Sequence, residues 1–199
     1  MTPLDIMDKA AGESPRITGM AAVRERVVAA DMAFFRMLAA LKLPKAVTLP
    51  LVLLVRIGDG YIWAFIALYL WWAIPFQELE TAVLQCCFAI LISLCIYAPV
   101  KVLTKRRRPY DLGLEVTPLV PPLDKYSFPS GHTMNNLAVS LTLALNIPSL
   151  IVPAIALPVS FGILRVFFGV HFLSDIVAGI GLGFMAFLLA AMAYPVLGF

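Results

Sequence analysis

The run from Thr81 to Val100 contains no Asp, Glu, Lys or Arg. A helix needs about 20 predominantly apolar residues to cross the hydrocarbon core of a bilayer, so this stretch is long enough to do so. Further apolar stretches at about 59–76, 131–147, 150–164 and 176–194 read as spans too. Only 14% of the chain is charged and 61% is apolar, whereas a soluble domain carries about 25% charged residues. That balance excludes a disordered chain, a collagen-like chain and an ordinary soluble enzyme. The expected fold class is all-α: an integral membrane helical bundle of five or six transmembrane helices with an amphipathic N-terminal helix.

Three regions follow along the chain. Residues 1–18 read as a polar tail, with Asp5, Asp8, Lys9, Glu13 and Arg16 but no apolar core of a signal peptide. Residues 19–57 read as amphipathic or interfacial. Arg24, Arg26, Arg36 and Lys42 alternate there with Phe34, Phe35, Leu38 and Leu41, which suits a helix in the headgroup layer, a soluble helix being the alternative. Pro44 stops that helix. Ala46–Val55 is too short to span, and is either interfacial, re-entrant or the start of a longer tilted helix. Gly58 and Gly60 favour a break. Residues 58–199 form the transmembrane domain, with Trp63, Tyr69, Trp71 and Trp72 as interfacial anchors of its first span. The proline-rich stretch 109–130 is too broken to cross, and reads as a lid or a stiff connection. Gly179 and Gly183 form a G-x-x-x-G pair, read either as a close helix crossing or as a smooth helix face. Cys86, Cys87 and Cys95 share one apolar run and form no disulfide framework.

Ionisable groups beside apolar spans are expensive and so mark function. The only two histidines, His132 and His171, each sit at a span end. Parity brings them together. Lys101 and Arg108 close one span and His132 opens the next on the same side; two further crossings return Arg165, His171 and Asp175 to that side. Three cations and the helix start at Ser130–Gly131 suit an anion with forked oxygens, such as phosphate. The basic cluster at 101–108 lies between apolar runs, so no nucleic-acid partner is expected. Asp111, Glu115 and Asp124 are scattered in the loop and read as solvated, and no ligand set for a metal is apparent. His171 and Asp175 lie four apart, on one helix face. The carboxylate could hold one ring nitrogen and leave the other free to attack phosphorus, with His132 as the acid. A plain helix cap by Ser174 or Asp175 is the alternative.

Three motifs emerge: Lys101, six residues, Arg108-Pro109; Pro129-Ser130-Gly131-His132; and Arg165, five residues, His171, three residues, Asp175. Together they resemble the type 2 phosphatidic-acid phosphatase (PAP2) superfamily over about residues 55–195. The resemblance implies a six-helix core and metal-independent hydrolysis of a lipid phosphate in the bilayer, with no cofactor. His171 would form a phosphohistidine, Asp175 would orient it and His132 would protonate the leaving group. Lys101, Arg108, Ser130, Gly131 and Arg165 would hold the phosphate. Leu164 departs from the pattern, which has Ser before the arginine. The stretches 105–109 and 124–128 are similar to those of polyisoprenoid-diphosphate phosphatases and favour an isoprenoid (di)phosphate. Phosphatidylglycerophosphate, phosphatidic acid and lipid A phosphate stay open as substrates. So do a phosphotransferase, a non-catalytic lipid-phosphate binder and the oligomeric state. The resemblance also implies a bacterial inner membrane with the site facing the periplasm.

Overall fold

A computed structural model describes residues 19–41, 43–112, 118–122 and 124–198; the expected tail at 1–18, with Lys42 and Glu115, lies outside them. The described chain is helical, with no strand among its residues. It comprises α1 (Gly19–Ala39), α2 (Lys45–Arg56), α3 (Ile62–Ala73), α4 (Phe76–Thr104), α5 (Gly131–Asn146), α6 (Ile151–Phe167) and α7 (Leu173–Leu197). Four segments are long and apolar enough to cross a bilayer: Lys45–Ala73, Phe76–Leu112, Pro148–Phe167 and Leu173–Leu197. Their outer faces carry exposed Phe65, Leu68, Val152, Ile155, Val177, Leu188 and Met192. Apolar surface of that extent belongs against lipid, and the protein is an integral membrane protein.

The third expected span, α5, has 16 residues, about 24 Å at 1.5 Å per residue. It is the most enclosed helix, packed by α4, α6 and α7. Its buried side includes Ser140 and Thr142, which give their hydroxyl protons to the carbonyls of Ala154 and Ala138. Polar groups can lie in the centre of such a bundle only if they are bonded in this way.

Residues 46–57, left open between interfacial helix and span, are helical and are joined to α3 across a kink. The junction is a π-helical turn, Ile57–Tyr61, in which Gly60 takes φ 125°, a value open to glycine and strained for other residues. Gly58 faces Phe161, and a Cβ there would stand 2.9 Å from the ring. Asn136 of α5 fixes the turn. Its side-chain amide donates to the Gly58 carbonyl at 3.2 Å and to the His132 carbonyl at 2.7 Å, and its oxygen accepts the Trp63 indole N–H at 2.8 Å.

The G-x-x-x-G pair makes the tight crossing. A Cβ on Gly183 would lie 2.6 Å from the Met134 carbonyl oxygen, and one on Gly179 would lie 2.9 Å from that of Ser130. The Ser130 N–H donates to the Asp175 carbonyl at 3.0 Å, which locks the starts of α5 and α7 side by side. Gly183→Ala should therefore force these helices apart at a cost of about 1–3 kcal/mol, read as a lower melting temperature in detergent. Gly181→Ala, with nothing within 4 Å of its added carbon, should melt like the parent.

Candidate active site

The sequence-predicted residues Lys101, Arg108, Ser130, Gly131, His132, Arg165, His171 and Asp175 all lie at one end of the bundle. Lys105, at φ 47°, ends α4 and turns the chain outward. Lys101 stays in the last turn, and Arg108 reaches back from the extended stretch beyond. One carboxylate joins them. Asp124 accepts from Lys101 Nζ at 2.6 Å and from Arg108 Nη2 at 2.6 Å, and the Tyr97 hydroxyl also donates to it. The expectation that Asp124 is solvated is thus corrected. Burial pushes its carboxyl up, but hydrogen bonds from Lys101 and Tyr97 and the charges of Lys101 and Arg108 outweigh burial and hold it below the usual carboxylate range. Asp111 is exposed.

The third motif works through the turn that ends α6. Gly169, at φ 74°, lets the chain double back, and the Arg165 carbonyl accepts the N–H groups of Val170 at 3.0 Å and His171 at 3.3 Å. That turn delivers His171 beside Arg108, whose Nη1 lies 3.3 Å from its Nε2 and donates to the Val170 carbonyl at 2.9 Å. On the other side of the ring, Nδ1 lies 3.5 Å from Asp175 Oδ2. Asp175 also accepts the Phe172 N–H at 2.8 Å, so it caps α7 and backs His171 at once. Burial lowers the His171 pKa to about 4, with the Arg108 and Arg165 charges adding to the fall, against the Asp175 carboxylate 3.5 Å away. The ring is neutral at neutral pH.

His132 belongs to a second group. Its Nε2 stands 2.6 Å from Asp59 Oδ1 and 2.6 Å from Arg165 Nη2, and Asp59 is also paired with Arg165. Sequence reasoning missed Asp59, which the Gly58–Gly60 break carries into the site. Ser130 is fully buried, and its oxygen accepts the Thr133 hydroxyl at 3.2 Å as the cap of α5. Gly131 admits Tyr97, whose ring would stand 2.8 Å from a Cβ there. Leu164 packs with Val55, Val120, Phe168 and Val170. The loop residue Val120 is fully buried in that cluster, and Ser127 is tied to the Arg106 carbonyl at 2.9 Å. The described part of the loop is therefore a packed connection.

Asp59, His132, Tyr97 and Asp124 line the polar mouth of a cavity of about 600 Å³. It descends between α3, α4 and α5 along Trp63, Ile66, Leu70, Val83 and Ile90. The Nε groups of Arg108 and Arg165 are buried without a hydrogen-bond acceptor, an arrangement that suits an added anion. Among the described residues, no group of three or more His, Cys, Asp or Glu could hold a metal ion.

Buried cations, two histidines and two parallel helix starts thus gather at one edge of a membrane bundle. The family model described as PAP2 superfamily matches residues 82–197, over half the chain, and the chain belongs to that superfamily. Two solved structures share the fold. The first transmembrane PAP2-type phosphatidylglycerolphosphate phosphatase from Bacillus subtilis is 22% identical with a TM-score of 0.64, over 83% of this chain and 85% of that one. Aquifex aeolicus LpxE is 22% identical with a TM-score of 0.62, over 81% of this chain and 94% of that one.

Asp124 and a bound phosphate would compete for the same nitrogens of Lys101 and Arg108. Asp124→Ala should destabilise the protein by less than the roughly 3–5 kcal/mol of a broken fully buried pair, since the Asp124 side chain is 35% exposed. Inorganic phosphate should then raise the melting temperature of this variant more than that of the parent.

Proposed function

We propose that this protein is an integral-membrane lipid phosphatase that works through a phosphohistidine on His171 and needs no metal. The observation that carries the proposal is the placing of the two imidazoles. His171 is neutral, backed by Asp175 and beside Arg108. His132 stands at the mouth of the apolar cavity, which His171 does not line. A lipid whose tail fills that cavity presents its phosphate between the cations and its ester oxygen toward His132. The His171 Nε2 lone pair attacks phosphorus, the bond from phosphorus to the lipid oxygen breaks, and His132 gives that oxygen a proton. Water then attacks the phosphohistidine while His132 takes the water's proton, the N–P bond breaks, and inorganic phosphate leaves. Lys101, Arg108 and Arg165 neutralise the charge that develops on the phosphoryl oxygens.

The substrate is a lipid phosphate or diphosphate, namely a polyisoprenoid (di)phosphate, phosphatidylglycerophosphate or phosphatidic acid. The apolar cavity supports the lipid tail, and the stretches 105–109 and 124–128 favour the isoprenoid. His171→Ala should cut phosphate release in detergent by about 10³-fold or more, with EDTA leaving the parent unchanged. Full activity in that variant would sink this mechanism. His132→Ala should cost about 10²–10⁴-fold on an alkyl phosphate and far less on an aryl phosphate, whose oxygen leaves without a proton.

The pH profile has a definite sign. His171 must be neutral, so activity should be lost as pH falls through about 4; it should decline again as the pH rises and His132 loses the proton it donates. A flat profile across both limbs would refute the pairing.

Charge supports one side of the membrane. No Lys or Arg occurs in residues 57–100, 126–164 or 166–199. The end of the bundle formed by 74–75 and 147–150 therefore has no basic residue. Arg24, Arg26, Arg36, Lys105 and Arg107, none of them bonded to the reacting groups, accompany the opposite end. The positive-inside rule assigns that basic end to the cytoplasm, whereas the resemblance to bacterial relatives favours a periplasmic site; we propose the cytoplasmic side of the plasma membrane. A Lys125→Cys variant lacking Cys86, Cys87 and Cys95 should resist a membrane-impermeant maleimide in intact cells and react after lysis. Labelling of intact cells would place the site outside.

A further inference from the structure

Helix α1 precedes the residues that the superfamily model matches, and most of it is exposed. Yet its Asp31 is only 3% exposed, and a carboxylate is buried this deeply only when it is paired and bonded. Asp31 Oδ1 accepts the backbone N–H of Ser174 at 2.8 Å, and Oδ2 accepts the Ser174 hydroxyl at 2.5 Å and Arg106 Nη2 at 2.6 Å. The other arm of the same guanidinium, Nη1, donates to Asp175 Oδ1 at 2.7 Å and to the Ser174 hydroxyl oxygen at 2.6 Å. One guanidinium therefore bridges two carboxylates, one from α1 and one from the pair that backs His171. The Phe172 ring, between His171 and Ser174, is gripped on two sides. Phe35 meets it edge-on at 6.3 Å, and the Arg106 guanidinium lies over it at 4.4 Å.

We infer that Asp31 is a positioning residue for the His171–Asp175 pair and acts through Arg106. The inference rests on the phosphohistidine reading above. Asp175 has two oxygens and three claimants: Arg106 on Oδ1, the Phe172 N–H on Oδ2, and the His171 Nδ1 facing Oδ2 at 3.5 Å. The carboxylate faces the imidazole only while Arg106 stays on Oδ1. With both arms of its planar fork anchored, Arg106 cannot rotate. Without Asp31, the Nη2 arm is free to swing onto Asp175 and draw the carboxylate away from His171. Lys101, Arg108 and Arg165 make no contact with Asp31, so the grip on phosphate is untouched. A helix outside the matched region thus sets the geometry of the nucleophile.

Asp31→Asn keeps an oxygen for the Ser174 N–H and loses the ion pair. It should lower kcat about tenfold to a hundredfold, the scale on which small misplacements act, with KM for a lipid phosphate little changed. Arg106→Gln should show the same loss, and the double variant should be no worse than either single one. Asp31→Glu, which keeps the charge, should recover most of kcat. With only two histidines in the chain, the ¹⁵N imidazole signals of His171 are assignable in a His132→Ala background. They should move in Asp31→Asn and stay put in Arg24→Gln. An unchanged kcat in folded Asp31→Asn, losses that multiply in the double variant, or unmoved His171 signals would each overturn the inference. A parent protein that releases no phosphate would instead overturn the enzyme reading, while the imidazole signals would still report on the latch.

Discussion

Four guanidinium or ammonium groups, those of Lys101, Arg106, Arg108 and Arg165, sit at the edge of a lipid-bounded bundle, and each touches a carboxylate. Taking a bare ion out of water costs several kcal/mol even after relaxation, so an unbalanced cluster of this density would not stay folded. Asp31, Asp59, Asp124 and Asp175 supply the balance through contacts of 2.7 Å or less. The pairing also determines how the site can work. In the proposed reaction the cations are held in place before substrate arrives, and a phosphate would compete with Asp59 and Asp124 for their nitrogens. Preorganised charge of this kind is where phosphoryl transfer gains most.

The packing below the site serves the same end. Gly179 and Gly183 let α7 lie directly on the backbone of α5, and both helices begin at the site. Two helix N-termini side by side add positive dipole ends to the side-chain cations. The same closeness sets His132, in the first turn of α5, and Asp175, in the first turn of α7, in one frame tied by the Ser130–Asp175 backbone bond. A bulkier residue at Gly183 would act on the chemistry through this frame, although it touches no substrate.

What was legible in the sequence follows from the cost of charge in lipid. Uncharged runs had to be helices, and the few cations and histidines between them had to gather where parity put them. The carboxylates were illegible for the matching reason. In sequence, Asp124 in a proline-rich loop looks like any solvated aspartate; its partners Lys101 and Arg108 lie 23 and 16 positions away. Asp31 meets Ser174 across 143 positions, a contact that no local pattern encodes. Asp59 was hidden in another way. Its charge, with Arg56 and the neighbouring glycines, marked a break, and the structure kinks there, at Gly60. What no local pattern showed is that the kink turns Asp59 onto Arg165 and His132.

The same accounting separates the two histidines, which motif spacing alone treats as a matched pair. His171 is enclosed, flanked by Arg108, and has its carboxylate at 3.5 Å, behind the ring. Burial favours its neutral form, and its Nε2 lies 3.3 Å from Arg108 Nη1. His132 has Asp59 and the Arg165 guanidinium each 2.6 Å from Nε2 and opens on the apolar cavity. A ring stripped of its proton beside cations is built to attack. In the proposed reaction the acid is the ring that opens on the cavity, where the departing alcohol would lie. Exchanging the roles would put the nucleophile next to the leaving group and leave no acid within reach of it.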